Sequence, residues 1–268
     1  MMTKPQKKTE LFSLKEKVVL ITGSVGLLGL KMCEALCEHD AIVVMTDINK
    51  KKLNSVSTKL REKHPDKILS IYIDIVDEKS VQNGLQKTLD VTGSVDVLIN
   101  NAYPYNKHYG RVYEDIEFKD WRENVDMHLN GYFNVTHKVS KVMMKQKQGN
   151  IINIASIYGV LGPHFDIYKD LGITMPSEYS AIKGGIINFT RYLATYLAPF
   201  NIRVNSISPG GIYDKQSPSF VKRYCKEVPL GRMASPLDIV GGVVYLASDA
   251  SSYVTGQNLM IDGGWSTW

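Results

Sequence analysis

Cysteine is scarce in this chain, with three in 268 residues. Cys33 and Cys37 lie one helical turn apart with His39 nearby, but the spacing suggests no fourth ligand, so no metal site is expected. Small buried thiols in a reduced, cytoplasmic protein are the simpler reading. Long apolar runs are also missing. The uncharged stretch VVLITGSVGLLGL (18–30) follows a basic tail and so imitates a secretory signal, but it is too short to span a bilayer as a helix. Its β-branched start and its glycines suit a buried strand running into a turn, and no membrane partner is expected. The net charge of +5 comes partly from Lys4, Lys7, Lys8, Lys15 and Lys17 and from the run Lys50, Lys51, Lys52. Neither cluster has the interleaved aromatics or the length of a nucleic-acid stripe, which argues against nucleic acid as a partner. No linker rich in proline, glycine or serine divides the chain, and no repeat recurs in it. The expected organisation is a flexible basic tail over 1–16 and a single domain over 17–268.

What is present is alternation. Strands are expected at 17–22, 41–47, 68–74, 94–102, 149–156, 201–211 and 257–262. Helical patterns fall between them, including one long helix over about 119–148 and another over 179–198. Ser235 and Pro236 read as an N-cap followed by proline at the first helical position. Several strands are almost wholly apolar, which calls for an α/β fold: one doubly wound, Rossmann-type parallel sheet of seven strands with helices on both faces. Ligands of such sheets bind beyond the carboxyl ends of the strands.

The first strand ends in TGSVGLLG, with Gly23, Gly26 and Gly29. A glycine turn between a first strand and a helix lets backbone N–H groups approach a pyrophosphate. Asp47 ends the second strand 24 positions after Gly23, near the ~20-residue offset of a ribose-binding carboxylate. A carboxylate there repels a 2′-phosphate, and the turn holds no arginine or lysine, so NAD is favoured over NADP. Asp74 either accepts from the adenine amino group or caps the following helix. In ITMPSEYSAIKGG (173–185), Tyr179 and Lys183 stand one turn apart on one helix face. A tyrosine titrates near ~10, and an adjacent cation is expected to lower that value.

The ordered set of TG with spaced glycines at 22–29, Asp74, NNA at 100–102, HLNGYF around Asn130, NIASIYG around Ser156, Tyr179 with Lys183, and SPGG at 208–211 resembles the single-domain short-chain dehydrogenases/reductases, from about Lys17 to Gly264. The resemblance implies Tyr179 as general acid/base, Lys183 as the residue that lowers its pKa and binds the nicotinamide ribose, Ser156 as the group that orients the reacting oxygen, and Asn130 as the holder of a relay water. It implies cofactor contacts from Gly23, Ser24, Gly26, Leu27, Leu28, Gly29, Asp47, Asp74, Ile75, Asn101, Ala102, Tyr179, Lys183, Pro209, Gly210 and Ile212.

Three features depart from the family pattern. The glycine spacing is commoner in longer relatives, Tyr103 replaces the usual glycine after NNA, and Ser156 and Tyr179 are 23 positions apart because of an insertion over about 161–175. Both unusual segments, 103–113 and 161–175, are polar and aromatic. A sugar-like alcohol or ketone is therefore the expected substrate, with Lys107, Arg111 or His164 available to meet a phosphate or carboxylate. The sequences around 172–185 and 208–220 also resemble bacterial oxidoreductases of flagellin glycosylation and nonulosonic-acid clusters, which points to surface-glycan synthesis. A non-enzymatic NAD sensor or scaffold, an isomerase or lyase with bound NAD, and a reductase of acyl-carrier-protein thioesters are the alternatives. Segment 212–228 is expected to act as a lid. A homodimer or homotetramer is expected from the apolar surface of the Tyr179 helix, namely Ile182, Ile186, Ile187, Phe189, Leu193 and Leu197 beside the small Gly184 and Gly185.

Overall fold

A computed structural model describes residues 11–268. Seven strands form one parallel sheet: β1 (Val18–Thr22), β2 (Ile42–Asp47), β3 (Ile68–Tyr72), β4 (Val97–Asn100), β5 (Gly149–Ile154), β6 (Ile202–Pro209) and β7 (Asn258–Ile261), in spatial order β3-β2-β1-β4-β5-β6-β7. The order reverses between β1 and β4, where Val19, Leu20 and Ile21 pair with Val97, Leu98 and Ile99. Each of these strands is buried along its whole length, because helices cover both faces of the sheet.

One layer is α1 (Leu27–Glu38), α2 (Lys50–Lys63) and α8 (Pro236–Ala247), which close a core around Ile21, Met45, Leu36 and Val243. The other is α3 (Glu78–Thr92), α5 (Gly131–Gln146) and α6 (Ser177–Leu197), around Leu98, Ile151, Tyr132 and Ile186. Cys33 and Cys37 are buried in the first layer as free thiols, and burial pushes the Cys37 thiol up to about 12. Ser235 caps α8 with Pro236 at the first helical position, as expected from the sequence, and Asp238 completes a capping box.

The boundaries need three corrections. Residues 1–10 of the expected tail lie outside the described residues, but 11–16 are packed: Leu14 is fully buried, and its N–H donates to the His39 carbonyl at 2.8 Å. An apolar side chain with a place in the core orders this part of the tail. The long helix expected over 119–148 is divided into α4 (Phe118–Val125), a single π turn (Asp126–Asn130) and α5. The residues expected to leave α6 with spare apolar surface are spent inside the subunit, since Ile182, Ile186, Ile187, Leu193 and Leu197 all join the core. The bulky residues that α5 and α6 expose are Phe133, Tyr192 and Tyr196.

Candidate active site

A cleft of about 1200 Å³ opens over the carboxyl ends of the strands. Its floor begins at the glycine turn. Gly23 has φ +63°, and a Cβ there would lie 2.7 Å from the Ala102 Cα, so both the backbone conformation and the close approach require glycine. Asn101 fastens the turn to the end of β4: its Nδ2 donates to the carbonyls of Thr22 and Gly23 at 3.0 Å each. Below it, Asn100 donates to Thr136 Oγ1 and Asn153 Oδ1 at 2.8 Å, and Asn153 donates on to Thr190 at 2.9 Å. This buried amide chain ties β4, β5, α5 and α6 together beneath the cleft.

Most of the expected cofactor residues line this cleft: Gly23, Gly26, Leu27, Leu28, Gly29, Asp47, Asp74, Ile75, Asn101, Ala102, Tyr179, Lys183, Pro209, Gly210 and Ile212. Ser24 does not, because its side chain is fully buried beneath the turn. Asp47 accepts from the Asn49 N–H at 2.9 Å and reaches the Val25 N–H at 3.4 Å, so its carboxylate joins the end of β2 to the glycine turn. Lys50 lies over the Tyr72 ring, 4.3 Å from its centroid, and Lys51 and Lys52 are exposed on α2. Asp77, not Asp74, caps α3, accepting from Lys79 and Ser80. Asp74 accepts from the Val76 N–H at 3.0 Å and lines the cleft.

The catalytic candidates meet despite their separation in sequence. Ser156 lies two residues beyond β5 and caps a short 3-10 segment, its Oγ accepting from the Tyr158 N–H at 3.2 Å. That turn packs tightly on α6, since a Cβ on Gly159 would fall 2.7 Å from the Lys183 carbonyl. The insertion between them therefore leaves Ser156 against Tyr179, to which the serine is hydrogen-bonded.

Burial holds the Tyr179 phenol above its ordinary range, and the Ser156 hydrogen bond opposes this. The sequence argument expected the opposite net direction. The reason is geometric: the Lys183 Nζ is 5.6 Å from the Tyr179 ring centroid and donates to the Ile154 carbonyl at 2.8 Å. Burial also lowers Lys183, from 10.5 to about 7. In the chain alone, desolvation outweighs the pairing.

Asn130 is not in the cleft. It is exposed at the end of the π turn, and its Nδ2 donates to Asp126 at 2.8 Å. The residue turned inward is His128, which is 1% exposed and whose Nε2 lies 3.4 Å from the Lys183 Nζ. A spacing signal was available in the sequence: His128 and Tyr132, four apart, share a face, whereas Asn130 lies between them on another.

The outer half of the cleft is aromatic. Tyr103 stands edge-on to Tyr179 with centroids 5.5 Å apart, and Tyr105 and Tyr109 cluster behind it. Across the cleft are Tyr158, Tyr168, Phe220 and Tyr224, with Leu171, Ile173 and Met175 from the insertion. The expected anion-binding cations are engaged elsewhere: Arg111 faces Asp120 and Glu117, His164 pairs with Glu227 at 3.2 Å, and Lys107 is exposed and off the lining. Among the described lining residues, Lys183 is the only cation.

A family model described as enoyl-(acyl carrier protein) reductase matches residues 26–266. The chain belongs to the short-chain dehydrogenase/reductase family. It is 33% identical to the post-translational flagellin modification protein A of Campylobacter coli, covering 94% of this chain and 99% of that one. A short-chain dehydrogenase from Leptospira borgpetersenii with bound NAD+ is 36% identical at a TM-score of 0.86, covering 99% and 98%. A gluconate 5-dehydrogenase from Burkholderia cenocepacia in complex with NADP and tartrate is 27% identical at a TM-score of 0.87, covering 97% and 98%. Members of the family bind NAD(P), and the residues of this chain fit such a group. The glycine turn leaves room for a backbone approach to a pyrophosphate, and carboxylates stand at the ends of β2 and β3.

Proposed function

We propose that this protein is an NAD-dependent oxidoreductase that interconverts a secondary hydroxyl and a ketone on a sugar-like, polar substrate in surface-glycan synthesis. The observation that carries the substrate class is the outer half of the cleft. Tyr103, Tyr105, Tyr158 and Tyr168 offer flat faces for a sugar ring and hydroxyls at its edge. With Lys183 the only cation on the described lining, the part of the substrate inside the cleft carries no phosphate, which narrows the sequence-based expectation to a neutral sugar or polyol moiety. Similarity to a flagellin modification protein and to a gluconate dehydrogenase supports the same class.

NAD is proposed over NADP because Asp47 lines the cleft at the end of β2, where a carboxylate would repel a 2′-phosphate, and no lysine of 50–52 lines the cleft. Bound there, the nicotinamide supplies the hydride acceptor or donor. Lys183 and Asp47 would hold ribose hydroxyls. Tyr179 would give or take the proton of the reacting oxygen, and Ser156 would hydrogen-bond to that oxygen as charge develops on it. Ser156, Tyr179 and Lys183 all line the cleft, which speaks against a purely sensory role.

A homo-oligomer is also proposed, on the exposed Phe133, Tyr192 and Tyr196 of α5 and α6. A cytoplasmic location is proposed because the chemistry draws on the cytoplasmic NAD pool. Among the described residues no helix is long and apolar enough to cross a membrane.

Leu171, Ile173, Met175 and Met233 favour a second reading, an acyl-carrier thioester, in line with the description of the family model. Initial rates of NADH formation or consumption with matched panels of polyols, their ketoses, and hydrophobic or acyl-thioester counterparts decide between the two. A kcat/KM that favours the hydrophobic or thioester panel refutes the sugar reading.

A further inference from the structure

Glu178 stands immediately before Tyr179 and is 2% exposed. Its Oε1 accepts from the Asn124 Nδ2 at 2.9 Å, and its Oε2 is buried without a hydrogen-bond partner among the described residues. A buried carboxylate with one oxygen unsatisfied is costly. Its place in the first turn of α6 sets it at the positive end of the helix dipole, which offsets part of that cost. Glu178 is not on the lining of the cleft, so it acts on the site through its partner.

Asn124 on α4 is equally enclosed and carries the connection onward, its Oδ1 accepting from the Asn106 N–H at 2.9 Å. Asn106 organises the loop after β4. Its carbonyl accepts from the Tyr109 N–H at 3.3 Å and its Oδ1 from the His108 N–H at 3.0 Å, which closes a turn over 106–109. Two further ties, from its Nδ2 to Asp120 and Glu123 at 2.9 and 2.8 Å, also hold this turn to α4. The turn presents Tyr109, whose hydroxyl pairs with that of Tyr103. Tyr103 then returns to α6: its ring is edge-on to Tyr179 at 5.5 Å and lies 5.7 Å from the Lys183 Nζ. The contacts form a closed circuit that leaves α6 at Glu178 and comes back to it at Tyr179. Tyr103 lines the cleft beside Tyr179, so its seat decides the room a substrate has next to the reacting hydroxyl.

We propose that Glu178 is a positioning residue that sets how the substrate is held: through Asn124 it seats the 106–109 turn, and through that turn it fixes the Tyr103 ring against Tyr179. The inference rests on the oxidoreductase reading of the same cleft, with Tyr103 as a face for the substrate. No bond is made or broken at Glu178 during the reaction.

The first arm of the test is amide hydrogen exchange in cofactor-free protein, read by NMR at the Asn106 N–H. Asn124→Leu, which deletes the acceptor, is expected to speed exchange there by about tenfold, the order that one net hydrogen bond carries. Glu178→Ala, which frees the Asn124 amide, is expected to move it in the same direction. Glu178→Gln, which still accepts from Asn124, is expected to stay near wild type. The second arm is steady-state kinetics with NAD and the best substrate found among polyols, ketoses and thioesters. Glu178→Ala is expected to raise KM about tenfold while kcat stays within about twofold, the pattern of lost binding common to ground state and transition state. NAD affinity should be kept. In a Tyr103→Ala background the same change is expected to add little, because residues that act through one another are not additive. If Glu178→Ala does not fold, Asn124→Ser carries both arms.

Wild-type exchange at Asn106 in Glu178→Ala and Asn124→Leu overturns the seating role. Glu178→Gln as impaired as Glu178→Ala overturns the hydrogen bond as its means. Effects of Glu178→Ala and Tyr103→Ala that add in full overturn the route through Tyr103. The exchange arm uses no substrate. If it moves as expected while the whole sugar panel yields no turnover, the substrate class fails and the Glu178 seat stands.

Discussion

Replacing Lys183 with methionine removes a charge from the most heavily desolvated cation of the site while keeping a side chain of similar length. The folded protein binds the lysine proton only below about pH 7, against an ordinary value of 10.5. Above the folded value and below the ordinary one, the unfolded chain therefore holds a proton that the folded chain has released. Stability rises with pH wherever the unfolded state binds more protons, so this lysine penalises folding fully below about pH 7, and the penalty fades to nothing above the ordinary lysine value. A shift of about 3.5 units at about 1.4 kcal/mol each sets a ceiling near 5 kcal/mol. Urea denaturation of cofactor-free wild type and Lys183→Met at a series of pH values measures it. The wild-type curve is expected to climb relative to that of the variant as pH rises through neutrality and on to the lysine range. Loss of the Ile154 contact adds an offset that does not depend on pH, so the slope is the test. A difference between the two proteins that stays constant across that range refutes the reasoning.

Tyr179→Phe removes only a hydroxyl and is expected to lower kcat by about 10²-fold or more while NAD affinity, read by fluorescence titration, is kept. Asp47→Ala is expected to weaken NAD and narrow its advantage over NADP in side-by-side steady-state assays, and a wild type that already prefers NADP sinks the assignment. Arg223→Ala deletes the donor to the Ile167 and Lys169 carbonyls, at 3.1 and 2.5 Å. Hydrogen exchange over 161–175 should then speed up with little change in global stability, and unchanged exchange would mean that the insertion is held by its apolar contacts alone. In the wild type, substrate and NAD together are expected to slow exchange over 212–228, whereas the same exchange with and without ligand removes any lid role.

The sheet, its order of elements and the glycine turn were legible because strand-length apolar runs and glycines at a strand–helix junction answer to local rules. The positions of Ser156, Tyr179 and Lys183 were legible as motifs. Asn130 was assigned through the motif around it, and the structure places it outside the cleft, because the one-turn spacing of His128 and Tyr132 puts position 128, not 130, on the inward face. The direction of the Tyr179 shift was missed because one-turn spacing shows which residues share a face but not how deeply that face is buried. Arg111 and His164 looked like substrate cations because their partners, Asp120 and Glu227, are distant in sequence or masked by like-looking neighbours. The same limit hid the fate of the apolar α6 residues, which the core consumes.

The segments that depart most from the family pattern are joined to one another and not only to the sheet. The Thr174 N–H bonds to the Gly110 carbonyl at 3.0 Å, linking the insertion to the loop after β4. Arg223 links the same insertion to α7 (Pro218–Lys226). Asn106 anchors the loop to Asp120 and Glu123 of α4. The mouth of the cleft is thus a collar in three pieces, fastened to one another and to α4, around the Ser156–Tyr179–Lys183 group. A collar of this kind can be exchanged as a module: a lineage could refit it for a new substrate while the glycine turn, the amide chain and the Ser156–Tyr179–Lys183 group below stay untouched. A transplant of only one of its pieces would leave Thr174 or Arg223 without a partner, so successful grafts between relatives should move all three together.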